Sequence, residues 1–199
     1  MNDRMPQHAF RERIYGVLTF VGVIWLVFFI ERVSPYQLES LGVTPRTFDG
    51  LVGIVAAPFL HANLEHLVSN TIPLIVLLLL LTGAKAQTWP VVAAIVLLSG
   101  GLLWLFGRNA THIGASCLIY GLISYLLVSG LREGRVISLI AALVVGFLYG
   151  GTLFAGVLPS SVPQISWEGH LFGAIAGGVV AFAQTAERNK QETPVNPAA

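Results

Sequence analysis

The segment Gly114-Ala115-Ser116-Cys117 delivers a serine to the first turn of an apolar stretch, and Gly169-His170 delivers a histidine to the first turn of another. A serine hydroxyl is a weak nucleophile until a base takes its proton, so this pair is the minimum that nucleophilic catalysis requires. Gly114 and Ala115 keep the approach to the hydroxyl small. The unpaired N–H groups of a helix start would lie beside Ser116. Together with the positive end of the helix dipole, they favour the negative charge that develops on an attacked carbonyl. His170 is the only histidine in the last four apolar stretches. A neutral imidazole there could take the serine proton and return it to the leaving group. The competing reading is structural, because serines in membrane helices commonly bond to a backbone carbonyl or act as small packing residues.

Around this pair stand further polar groups. Tyr120 and Ser124 fall on the same helix face as Ser116. Tyr120 could support the imidazole by stacking, or it could be an ordinary packing aromatic. In His61-Ala-Asn-Leu-Glu-His66-Leu-Val-Ser-Asn70, His66 and Asn70 are four apart and share one face, and both can donate hydrogen bonds to an oxyanion. A zinc protease would need His-Glu-x-x-His. Here His61 and His66 are five apart and Glu65 directly precedes the second, so the spacing argues against zinc. An aspartyl mechanism would need two embedded aspartates sharing a proton. Asp3 and Asp49 are the only aspartates, and neither falls in an apolar stretch. Serine chemistry is the constellation left standing, and His8 and His112 receive no role.

The elements that must position these groups belong to a membrane. Of 199 residues 55% are hydrophobic and only 11% are charged, against about a quarter charged in an ordinary soluble domain. A net charge of +1 gives no field for nucleic acid. One cysteine, Cys117, rules out an intrachain disulfide framework. A spanning helix takes roughly 20 apolar residues, and six stretches approach this: Ile14–Ile30, Leu67–Leu81, Val91–Phe106, Ser116–Leu131, Val136–Leu158 and His170–Thr185. The second and fourth look short, as expected of helices that begin inside the bilayer beneath covering loops. The expected fold is therefore all-α, a polytopic six-helix membrane domain over residues 14–185 with a long outer loop over 31–65. Residues 1–13 precede it, and a polar tail over 186–199 is expected to be disordered. No small-residue cleavage site ends the first stretch before Glu31, so it reads as a retained helix.

With the amino terminus inside, eight of the eleven Lys and Arg residues are cytoplasmic, and only Arg32, Arg46 and Arg108 lie outside. That bias favours both termini inside. It also puts Ser116 and His170 on the same outer side. The loop over 31–65 carries Pro35, Pro45 and Pro58 with mildly apolar stretches, so it is expected to lie partly in the interface as short helices. Gly169, Gly173 and Gly177 recur every four residues and allow close approach of a neighbouring helix. Packing of that helix on the one bearing Ser116 would bring His170 to the serine.

Together these pieces resemble the rhomboid family of intramembrane serine proteases: His66-x-x-x-Asn70, Gly114-Ala-Ser116 with Tyr120-Gly121, and Gly169-His170 with Gly173, preceded by Pro58-Phe59-Leu60-His61-Ala62-Asn63. The resemblance implies a six-helix core and a serine–histidine dyad that uses no aspartate, metal or cofactor. Ser116 would be the nucleophile and His170 the base. His66, Asn70 and the Ser116 N–H would form the oxyanion hole, with Gly114 in its turn, and Tyr120 would stack on His170. It further implies transmembrane protein substrates cut at small residues, arriving sideways through the bilayer of a cell membrane, with the site opening outward. Two departures stand out. Cys117 follows the serine where the family usually has glycine, which is expected to crowd the turn. The family's Trp-Arg pair in the first loop is missing, with Gly50-Leu51-Val52-Gly53 in that region, so the loop is expected to be less firmly anchored in the membrane.

Overall fold

The computed structural model describes residues 7–85, 87–160, 162 and 165–192. Among these the chain is helical: α1 (Gln7–Val33), α2 (Gly53–Ala56), α3 (Leu64–Ala84), α4 (Thr88–Phe106), α5 (Ser116–Arg132), α6 (Val136–Gly156) and α7 (Trp167–Glu192), with short 3-10 turns in the first loop. Five of the helices are long and apolar enough to cross a membrane, over 11–33, 64–84, 88–106, 136–156 and 167–187. The expected fourth span, α5, is a 17-residue helix and falls below that length. It is the centre of the bundle, with Leu118, Leu122, Ile123, Tyr125 and Leu126 almost fully buried.

Several boundaries differ from those read off hydropathy. α3 has 21 residues and is not short, because Asn63 starts it early by accepting the His66 N–H on its side chain at 2.8 Å. α1 begins seven residues before Ile14. α7 continues to Glu192, so residues 186–192 are helical where disorder was expected, and 193–199 lie outside the described residues. In both cases most of the missed residues are polar. Hydropathy reports where a helix meets lipid, which is not where its hydrogen-bond ladder ends.

The glycine stripe sets the central contact. A Cβ on Gly173 would overlap the Cys117 carbonyl, and one on Gly177 would overlap the Gly121 carbonyl. With no side chain on these positions, α7 lies directly against the backbone of α5.

The first loop is pinned at several points. Val43 and His112 exchange both backbone hydrogen bonds at 2.9 Å. Trp104 Nε1 donates to the Thr47 carbonyl at 2.8 Å, and Arg46 donates to the carbonyls of Leu105 and Gly107 at the end of α4. Arg46 and Trp104 thus fasten the loop to the end of α4. At the far end of the bundle, Lys85 pairs with Glu133, Ser138 donates to Glu133 at 2.7 Å and Arg13 donates to the Lys85 carbonyl at 3.0 Å.

Candidate active site

Ser116 opens α5 through a turn whose geometry depends on Gly114. That residue has φ +104°, and a Cβ on it would stand 2.6 Å from His66 Cε1 and Nε2. Glycine therefore serves twice, as the residue that tolerates this backbone and as the gap that admits the imidazole. The Gly114 N–H donates to the Ala57 carbonyl at 2.9 Å, tying the turn to the first loop. Ser116, His170, His66 and Asn70 all line one cavity of about 460 Å³ at the end of the bundle where α5 and α7 begin. Ser116 also borders a void of about 20 Å³, walled by Val96, Gly100, Leu103 and Cys117 among others.

Tyr120 stacks on His170, with ring centroids 4.1 Å apart and planes within 2°. Of the two readings open for this tyrosine, the contact is the stacking one. Both rings also reach α6: the Tyr120 hydroxyl donates to the Thr152 carbonyl at 3.1 Å, and His170 Nδ1 lies 3.1 Å from the Gly156 carbonyl. A carbonyl can only accept, so Nδ1 carries the ring hydrogen and Nε2 of the neutral imidazole is left as the base. Asn70 Nδ2 donates one hydrogen to the His66 carbonyl at 2.8 Å. Its second amide hydrogen remains for another acceptor.

Cys117 does not turn toward His66. A Cβ on Gly169 would be 2.7 Å from its Sγ, so the thiol sits against the first turn of α7.

His61, fully buried, sets its ring against His66 edge to face at 5.0 Å. Burial and the neighbouring His66 lower its pKa from the usual 6.5 to about 4, and a Phe59 backbone group opposes them in part. It is uncharged at neutral pH. Sequence reasoning assigned nothing to the carbonyls of Thr152 and Gly156, because a backbone carbonyl has no residue type to betray it. Nor did it find Ser166, though a serine three residues before Gly169 at the head of an apolar helix is a capping pattern.

The sequence profile of the Rhomboid domain matches residues 49–186. The chain belongs to the rhomboid family. It is similar to uncharacterized proteins of Mycobacterium tuberculosis and Mycobacterium bovis, each 42% identical over 183 residues, covering 87% of this chain and 76% of the relative. A Mycobacterium leprae protein is 40% identical over 184 residues, covering 87% of this chain and 72% of the relative. The rhomboid family includes intramembrane proteases. With five helices able to cross a bilayer, this rhomboid is an integral membrane protein.

Proposed function

We propose that this rhomboid is an intramembrane serine endopeptidase that cleaves transmembrane proteins in or beside their spanning helices. The observation that carries the reading is the shared cavity of Ser116, His170, His66 and Asn70, with His170 held by Tyr120 and the Gly156 carbonyl. Nε2 of His170 takes the Ser116 proton as Oγ attacks the scissile carbonyl, and the C–N bond breaks as the imidazolium returns that proton to the leaving amine. Water then attacks the acyl-enzyme by the same route in reverse. The Ser116 N–H, His66 and the second amide hydrogen of Asn70 face the oxyanion. A single such donor is worth about 3 to 4 kcal/mol.

A carboxylate is not required in this scheme, because ring stacking and one carbonyl already fix the imidazole. The small void bordered by Ser116 has room for about one water or a short side chain, which supports small residues at the cut. α5 would be the fourth of six spans, beginning below the membrane surface. Substrates would arrive between α3 and α6 with both termini of the enzyme cytoplasmic, in a cell membrane, and the cavity opening outward.

Purified protein should label at Ser116 with a fluorophosphonate. Ser116→Ala and His170→Ala should each reduce cleavage of a model transmembrane substrate to the uncatalysed background, and near-normal turnover in either variant would overturn the dyad. One observation favours a second reading, a pseudoprotease that binds transmembrane clients without cutting: Cys117 in place of the family's usual glycine. Its packing against Gly169, away from His66, weighs for the enzyme. Failure of the folded wild-type protein to label would decide for binding alone.

A further inference from the structure

The turn carrying Ser116 and the helix carrying His170 are joined a second time, set back from the reacting groups. His112, four residues before Ser116, is only 4% exposed. Its Nδ1 lies 2.7 Å from Ser166 Oγ, and its Nε2 lies 3.2 Å from the Arg108 carbonyl. Ser166, four residues before His170, caps α7: its Oγ accepts the Gly169 N–H at 3.3 Å and its carbonyl accepts the His170 N–H at 3.1 Å. Beside them Arg108 donates to the Ile165 carbonyl at 2.8 Å and faces the buried Glu168 carboxylate at 3.5 Å.

The direction of each hydrogen bond is fixed by its ends. The Arg108 carbonyl can only accept, so His112 Nε2 carries the ring hydrogen. The Gly169 N–H can only donate, so it uses a lone pair of Ser166 Oγ. The Ser166 hydroxyl hydrogen is then free to go to His112 Nδ1, the acceptor of the neutral ring. Burial, which lowers the His112 pKa, keeps that ring neutral; the Arg108 carbonyl and Glu168 oppose the shift and the Arg108 charge adds to it.

The glycine stripe fixes how near α7 comes to α5, but two helices touching along a smooth stripe can still rock against each other. Rocking changes the gap between hydroxyl and imidazole, and a misplacement of about 1 Å can cost on the order of 100-fold in rate. A tie outside the reacting groups removes that motion. We propose that His112 and Ser166 are positioning residues, a hydrogen-bonded strut between the turn of Ser116 and the helix of His170 that limits how far the imidazole can move relative to the serine hydroxyl. The proposal rests on the serine-protease reading.

The test uses the full-length protein in liposomes, with the fluorophosphonate labelling rate at Ser116 and steady-state cleavage of a transmembrane substrate as readouts. Ser166→Ala and His112→Leu should lower kcat and the labelling rate about 10- to 100-fold, with KM within about twofold. Ser166→Thr, which keeps the hydroxyl, and His112→Gln, which keeps one donor and one acceptor, should recover most of that loss. The double variant Ser166→Ala with His112→Leu should be no slower than the worse single one. If His112→Leu does not fold, Ser166→Ala against Ser166→Thr decides. A kcat within twofold of wild type in Ser166→Ala, or a loss that threonine does not relieve, overturns the strut while wild-type labelling leaves the protease reading intact. Absence of labelling in the wild type removes both.

Discussion

His61 is fully buried, so its charge state has an energetic consequence. Its pKa is lowered to about 4 in the folded protein, from the usual 6.5. The unfolded chain therefore takes up a proton first as the solution is acidified. Stability contributed by the neutral ring is present in full above about pH 6.5 and is lost as pH falls toward 4, by on the order of 3 kcal/mol at the limit. Unfolding in detergent as a function of pH should show that loss, and His61→Leu should flatten it. An equal slope in the variant would place the titration elsewhere. At this scale the catalytic candidates were legible because a serine and a histidine at helix starts stand out against apolar surroundings. His112 and Ser166 were not, since their relation exists only once two distant loops are brought together.

Between elements, the backbone-to-backbone seam of α5 and α7 carries the geometry. Gly177 has no room for a methyl group beside the Gly121 carbonyl, so Gly177→Ala must separate the helices or distort them. Such overpacking typically costs about 1 to 3 kcal/mol. The expected result is a lower thermal midpoint together with slower Ser116 labelling, because the same displacement carries His170 away. A variant with unchanged midpoint and labelling would show the seam to be soft. The four-residue glycine spacing announced this seam, and six apolar stretches announced six of the seven α-helices among the described residues. What escaped was polar: the first residues of α1, the last turns of α7, and the anchoring of the first loop by Arg46, whose φ of 60° is unusual for a residue with a side chain.

Across the molecule, the two ends of the bundle differ in kind. Arg13, Lys85, Arg132 and Glu133 gather at the end opposite the cavity, where Arg13 bonds the Lys85 carbonyl, Lys85 pairs with Glu133 and Arg132 donates to Thr185 of α7. The cavity end holds Arg32, Arg46 and Arg108, bonded to backbone carbonyls. If the end opposite the cavity faces the cytoplasm, as the Lys and Arg bias of the whole sequence favours, a membrane-impermeant thiol reagent on intact cells should modify Ser40→Cys and spare Arg135→Cys. The reverse pattern would invert the topology. α6 joins these two ends unevenly. Near its start it is locked, with Ser138 bonded to Glu133 and Gly130 pressed against Ala142. Toward its end much of its surface is exposed, Phe147 and Phe154 included, and it holds Tyr120 and His170 through the carbonyls of Thr152 and Gly156. A helix fixed at one end responds to hydrophobic mismatch by tilting. The thickness of the surrounding bilayer is thereby made an input to the orientation of the imidazole. Turnover in liposomes should pass through an optimum in acyl-chain length, and weakening the grip on α6 with Tyr120→Phe should broaden it.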